Sequence, residues 1–191
     1  MMTSYQVGIE WHTPMNPWEP IHARVDDTSE WYAAQVGRSE YLRDSEEDAD
    51  MHHRKGGVVA EGLVKAIFAG MEWWDTHSFD TFLGGTRYDI ISRGLNRGEP
   101  RQHYVHKIQA KKKERAKPST HYYAVVRNHP DYWLIGHINS IRFWYLCDRS
   151  APEFWDDEQF DGGFLSYEHF EQLPITEPIS PPPGIEVFGQ G

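Results

Sequence analysis

Apolar positions along this chain fall into two rhythms. Val58, Val59, Leu63, Val64, Ile67 and Phe68 recur at helical spacing, which predicts a helix over roughly Val58–Trp74. These residues surround much of the helix, so it is expected to be well buried, and His52-His53-Arg54-Lys55-Gly56-Gly57 forms its polar approach. Short runs rich in β-branched and aromatic residues follow at Phe79–Leu83, Tyr88–Ile91 and Tyr104–Lys111, and they read as an antiparallel meander. Gly94, Asn96, Gly98 and Pro100 mark Ser92–Arg101 as a loop. His121–Arg127 and Tyr132–Ile138 are two further strands, joined by the turn Asn128-His129-Pro130-Asp131. Ile141–Cys147 is apolar and either extends the sheet or packs on it. Before the helix, Ser4–Trp11 alternates loosely as a strand would, Pro14, Pro17 and Pro20 force a loop, and Asp26–Asp50 reads as helix or ordered loop anchored by Trp31, Tyr32 and Tyr41. The Pro-rich stretch from Pro174 to Gly184 is expected to be extended. The order predicts one α/β (α+β) domain with a central mixed sheet flanked by helices. Residues 1–54 form an acidic extension packed on a core at 55–175, and 176–191 form a Pro-rich tail.

At 191 residues the chain fits one domain with a sizeable core. No apolar run is long enough to cross a membrane, and MMTSYQVGIEWHT lacks the basic start and apolar block of a secretory signal, so no membrane partner is expected. Cys147 is the only cysteine, which excludes an internal disulfide and a cysteine-based zinc site. A reducing cytoplasm is the expected location.

The net charge of −10 argues against nucleic acid as a partner until its distribution is considered. Between Arg87 and Lys117 lie ten basic residues: Arg87, Arg93, Arg97, Arg101, Lys107, Lys111, Lys112, Lys113, Arg115 and Lys117. Only Asp89, Glu99 and Glu114 oppose them, so the segment carries +7 and the remainder of the chain −17. A local basic stretch in an acidic protein can meet phosphates, although a charge run alone more often marks a solvated hairpin.

Chemistry concentrates in the same region. Side chains alternate along a strand. Ile108 and Ala110 therefore face a core while Gln109 and Lys111 share the other side. If Tyr88–Ile91 pairs with this strand, Asp89 joins them and a carboxylate, an amide oxygen and an ammonium converge. Such oxygens suit a hard cation such as Mg²⁺, which would stabilise charge on a phosphate and lower the pKa of a bound water. Lys111 would hold the water or a phosphate oxygen. A surface Asp–Lys pair without catalytic meaning is the alternative from spacing alone. Glu61 lies among Val58, Val64 and Phe68, where a carboxylate needs a partner, a proton or a metal; an exposed Glu61–Lys65 pair at i,i+4 is the equal alternative.

Taken in order, these pieces resemble the core of the PD-(D/E)XK nuclease superfamily: a helix, a meander of strands, a helix and a further strand. The helix Glu is matched by Glu61 in KGGVVAEGLVKAIFAG, the motif Asp on the second strand by Asp89 in TRYDII, and the acid-x-Lys of the next strand by Gln109-Ala110-Lys111 in HKIQAKK. DYWLIGHI followed by FLSYEHFEQLPI resembles the end of small phage-type members. The resemblance spans Lys55 to Ile175 and departs from the family where Gln109 stands in place of an acid. It implies a restriction-endonuclease-like core and hydrolysis of phosphodiester bonds of DNA with Mg²⁺ or Mn²⁺. Asp89, Gln109 and Glu61 would be metal ligands and Lys111 the positioning residue. Arg87, Lys107, Lys112, Lys113, Arg115 and Lys117 would steer the DNA backbone, with salt-dependent binding. Pairing into a homodimer is left open.

Two other readings stand beside it. Among the eleven histidines, His52, His53, His103, His106, His121, His129 and His137 are candidates for a zinc or histidine-metal site, but no HExxH is present. The acidic flanks also fit a catalytically inactive nuclease-fold protein that binds nucleic acid or a protein partner.

Overall fold

The strand-forming run His121–Asn128 (β6) is apolar on both faces, as a central strand covered on two sides must be. Tyr122, Ala124 and Val126 enter one core, and Tyr123 and Val125 enter another. The computed structural model describes residues 20–38, 48–68, 70–76, 79–94, 107–111, 120–149 and 162–188, with backbone alone for 38, 48–54, 73–76, 79, 107 and 111. In chain order the other elements are β1 (Ile21–Val25), α1 (Glu30–Arg38), α2 (Asp48–Ile67), β2 (Glu72–Thr76), β3 (Phe79–Leu83), β4 (Thr86–Gly94), β5 (Lys107–Lys111), β7 (Asp131–Asn139), α3 (Ser140–Leu146), β8 (Gly162–Ser166), a 3₁₀ turn (Tyr167–His169) and β9 (Ile185–Phe188).

Seven strands form one mixed sheet in the order β2-β3-β4-β6-β7-β1-β9. β4 and β6 run parallel, and the other neighbours run antiparallel. α1 and α2 cover one face, where Val59, Leu63 and Val64 of α2 pack with Ile21, Val25, Tyr88, Tyr123 and Leu134. The opposite face is covered by α3 and by a two-stranded ribbon of β5 and β8, through Phe143, Trp144, Ile108, Ala110 and Leu165, packed on Ile91, Tyr122 and Val126. The molecule is thus a mixed α+β sheet with layers on both sides. None of the described helices is long and apolar enough to cross a membrane.

Several expectations shift. The helix starts at Asp48, ten residues before Val58, and ends at Ile67 rather than Trp74. Gly70, at φ +77, ends that turn, and Trp73 and Trp74 belong to strand β2. Glu30–Arg38 within the acidic stretch is helical, and Trp31, Tyr32 and Val36 pack on the α2 core. Ile141–Cys147 does not extend the sheet: Asn139 accepts hydrogen bonds from the N–H of Ile141 (2.9 Å) and Arg142 (3.3 Å), and so caps helix α3. Strands from both flanks join the central sheet. β1 pairs with β7, and β9, from the Pro-rich tail, pairs with β1. The strand expected at Ser4–Trp11 and the connector Lys112–Ser119 lie outside the described residues.

The largest change concerns β5. β3 and β4 pair antiparallel as expected, but the other edge of β4 is taken by β6 over seven residues, Tyr88↔His121 to Gly94↔Arg127. β5 therefore does not continue the meander. It pairs with β8, from Lys107↔Ser166 to Lys111↔Gly162, and lies over the sheet.

Candidate functional site

Alternation along β4 decides where its acid points. Tyr88 and Ile90 pack with the α2 core, whereas Ile91 packs with the ribbon core. Asp89 consequently faces the ribbon side, and it is only 2% exposed. Its partner in the parallel ladder is Tyr122, whose hydroxyl accepts a hydrogen bond from the indole N–H of Trp144 at 2.8 Å.

Asp80 is the residue that sequence reasoning passes over. β3 and β4 are joined by Gly84-Gly85, both at positive φ (54° and 87°), the two-residue turn that suits a hairpin. The register runs Leu83↔Thr86, Phe82↔Arg87, Thr81↔Tyr88. The pairing stops at that step, and Asp80 lies just past it, beside the stretch of β4 that carries Asp89. The Asp80 carboxylate accepts the Ile90 N–H at 2.7 Å, in the direction of the ladder. The Gly84-Gly85 pair is the signal that would have found it, because a two-residue turn fixes the register of everything before and after it.

The other expected site residues are distributed as follows. Glu61 is half-buried on α2, a helix that packs against the face carrying Tyr88 and Tyr123, so the sheet lies between it and Asp89. On β5, Ile108 and Ala110 are fully buried in the ribbon core, as alternation predicts. Gln109 is half-buried and belongs to the opposite side of β5, away from the sheet face that carries Asp89. The convergence of Asp89, Glu61 and Gln109 on one point is therefore not what the structure brings together. Lys107 and Lys111 are placed by backbone only, at the two ends of β5. Arg87 is exposed on β4, where its carbonyl accepts from the N–H of Thr120 at 3.2 Å. Lys112, Lys113, Arg115 and Lys117 lie outside the described residues.

Among the described residues, no three His, Cys, Asp or Glu side chains form a group that could hold a metal. A pair of carboxylates on adjacent strands is a smaller donor set, and it suits Mg²⁺, which commonly takes one or two carboxylates and fills its shell with water and substrate phosphate. Comparison of the chain with protein-family models, with curated proteins and with solved structures gives no match in any of the three.

Proposed function

We propose that this chain is a metal-dependent nuclease that hydrolyses phosphodiester bonds of DNA, with Asp80 and Asp89 as its metal-binding carboxylates. The observation that carries the reading is the β3–β4 hairpin, which brings Asp80, through its carboxylate's bond to the Ile90 N–H, next to the buried Asp89. The order of elements supports it. Helix α2 is followed by the meander β2-β3-β4 and then by β6, parallel to β4, which resembles the helix, meander and further strand of a restriction-endonuclease-like core. In this frame β3 is the second strand of the meander and β4 the third. The family's motif Asp then falls on Asp80, its next acid falls on Asp89, and Ile91 stands where the family has Lys.

β5 packs over the same face and ends in Lys111, the residue that the resemblance assigns to positioning. A Mg²⁺ or Mn²⁺ ion at the acid pair supplies charge neutralisation for a phosphate and a lower pKa for its water. The two carboxylates would hold that ion, and by the resemblance Lys111 would steady a phosphate oxygen. Lys112, Lys113, Arg115 and Lys117 follow directly in sequence and would steer the DNA backbone.

The test is cleavage of single- and double-stranded DNA, and of RNA, with Mg²⁺, Mn²⁺ or chelator. Asp89→Asn, Asp80→Asn and Lys111→Ala variants are compared with the native chain after their melting curves show that they are folded. Each change is expected to slow cutting by roughly 10²-fold or more, the scale of removing one preorganised electrostatic contact. Metal-dependent cutting that persists in Asp89→Asn would sink the site assignment. The absence of cutting on every substrate in every metal would favour the second reading, a binding protein on the same fold. One observation already leans that way: Gln109 faces away from Asp89 and Ile91 supplies no charge. A binder would keep salt-sensitive affinity for nucleic acid without turnover.

A further inference from the structure

Across the sheet from Asp89, on the face that α2 covers, three rings meet at the start of β6. His121 and His137 lie with ring centroids 5.5 Å apart and planes tilted by 42°. Tyr88, only 4% exposed, closes the group at 5.6 Å from His121 and 5.9 Å from His137. The histidines are diagonal neighbours in the β6–β7 ladder, where His121 pairs with Asn139 and His137 with Tyr123. Backbone on both sides of His137 is fixed: its N–H donates to the Glu171 carbonyl at 2.7 Å, and its carbonyl accepts from the Glu171 N–H at 2.9 Å.

The nitrogens are what make the pair chemically unusual. His137 Nδ1 is buried and has no hydrogen-bond partner. A buried imidazole nitrogen without a partner is disfavoured unless something else fills its lone pair. His121 Nδ1 is engaged with the Thr120 hydroxyl at 3.2 Å, which leaves its Nε2 for a ligand. Burial holds both imidazoles below their ordinary pKa, and His121 lowers His137 further while Glu171 opposes this. Neutral imidazole is the ligating form.

We infer that His121 and His137 form a two-histidine site for a borderline divalent transition cation of the Zn²⁺, Ni²⁺ or Cu²⁺ type. Zinc–nitrogen bonds are about 2.0–2.1 Å, so two imidazoles on one tetrahedral ion have ring centroids separated by roughly 5 Å. The observed 5.5 Å is close to that spacing without any movement of the strands. Nitrogen donors select these ions over Mg²⁺, so the site is chemically distinct from the acid pair on the opposite face. Among the described residues no third His, Cys, Asp or Glu joins the two, so water completes the shell. Such an ion would clip β6 to β7 beside the Glu171 bridge.

Calorimetric titration of the full chain with Zn²⁺ in excess Mg²⁺ tests this, together with the visible spectrum of the Co²⁺ form. One equivalent is expected to bind, with Co²⁺ bands that report nitrogen ligation and a raised melting temperature. His121→Gln and His137→Gln should each weaken binding by at least about tenfold, the scale at which even outer-shell partners of a metal matter. His129→Gln, on the far turn, and Asp89→Asn should leave it unchanged, so failure here is separable from failure of the nuclease reading. If either histidine variant proves unfolded, the imidazole NMR signals of the native chain are followed during titration; those of His121 and His137 must shift together. Absence of tight Zn²⁺, Ni²⁺ or Cu²⁺ binding to the native chain would overturn the inference. So would equal binding in both histidine variants, or shifts confined to other histidines.

Discussion

Replacing Gly136 with Ala should damage this fold more than any methyl group's size suggests. Gly136 pairs with Ala124, but the next pair is Leu134 with Val125, so β7 carries one extra residue here. Its φ of 133° is a conformation that L side chains rarely adopt. A Cβ built at this position would lie 2.5 Å from the Glu171 carbonyl oxygen, 2.7 Å from its carbon and 3.2 Å from the Gln172 nitrogen. All three are backbone atoms, so no rotamer change relieves the clash. Glu171 occupies the place beside β7 beyond Leu134, where the register with β1 stops. Moving it away breaks the paired bonds to His137 and loosens Gln172, whose amide oxygen accepts from the Tyr123 hydroxyl (2.6 Å) and whose amide nitrogen donates to the Leu134 carbonyl (2.9 Å). Strain at a disfavoured backbone position costs about 1–3 kcal/mol. Two lost hydrogen bonds add about 1 kcal/mol each. A loss of about 3–5 kcal/mol is expected, a large share of the roughly 5–15 kcal/mol that holds a domain folded. Urea unfolding followed by circular dichroism measures it, through a lower midpoint at little-changed slope. The matched control is Gly37→Ala on the exposed side of α1, where a Cβ meets nothing within 4 Å and helix propensity should raise stability by up to about 1 kcal/mol. A Gly136→Ala loss below about 1 kcal/mol would refute the argument, because it would mean that the Glu171 segment does not press on β7.

Two further outcomes test the second core and its helix. Phe143 is fully buried and meets Tyr122, Trp144 and Phe170 edge-on at 5.4, 5.4 and 6.4 Å; Phe143→Ala should lower the unfolding free energy by about 3–5 kcal/mol in the same urea assay. Asn139→Ala removes the acceptor for two amides at the start of α3 and should cost about 1 kcal/mol, with Asn139→Asp restoring most of it; an Ala variant as stable as the native chain would mean that the cap carries no weight.

How much of this was legible depends on whether the deciding contact is local. β6, its turn and β7 can be read almost to the residue, because a strand buried on both faces is a continuous apolar run and Pro130 punctuates it. The start of α2 cannot, since Asp48–Gly57 shows no apolar period and contains two glycines. Of these, Gly56 makes sense only in three dimensions: a Cβ there would collide with the Arg127 guanidinium, just as one at Gly62, further along the helix, would meet the Gln35 side chain at 2.6 Å. Close packing against β6 and α1 thus outweighs helix propensity. β1 and β9 are short, lie next to prolines and are far apart in sequence; β1 is a strand because β7 and β9 flank it, and β9 because β1 is there.

The site divides along the same line. Asp89 stands out in sequence because it interrupts Tyr88-Asp89-Ile90-Ile91, and the structure does bury it. Which strand lies beside it is a non-local choice: β6 pairs with β4 and thereby displaces β5 to the ribbon, a competition no short-range pattern records. The approach of Asp80 to Asp89, by contrast, follows from the hairpin register that Gly84-Gly85 sets. Like charges brought close on neighbouring strands are unfavourable, and burying one of them makes them more so. Asp80 offsets part of this by taking the Ile90 N–H, and a Thr or Val at either position would suit the sheet better. A sheet otherwise built by local rules that keeps two carboxylates where those rules disfavour them has the form expected of a site under functional demand.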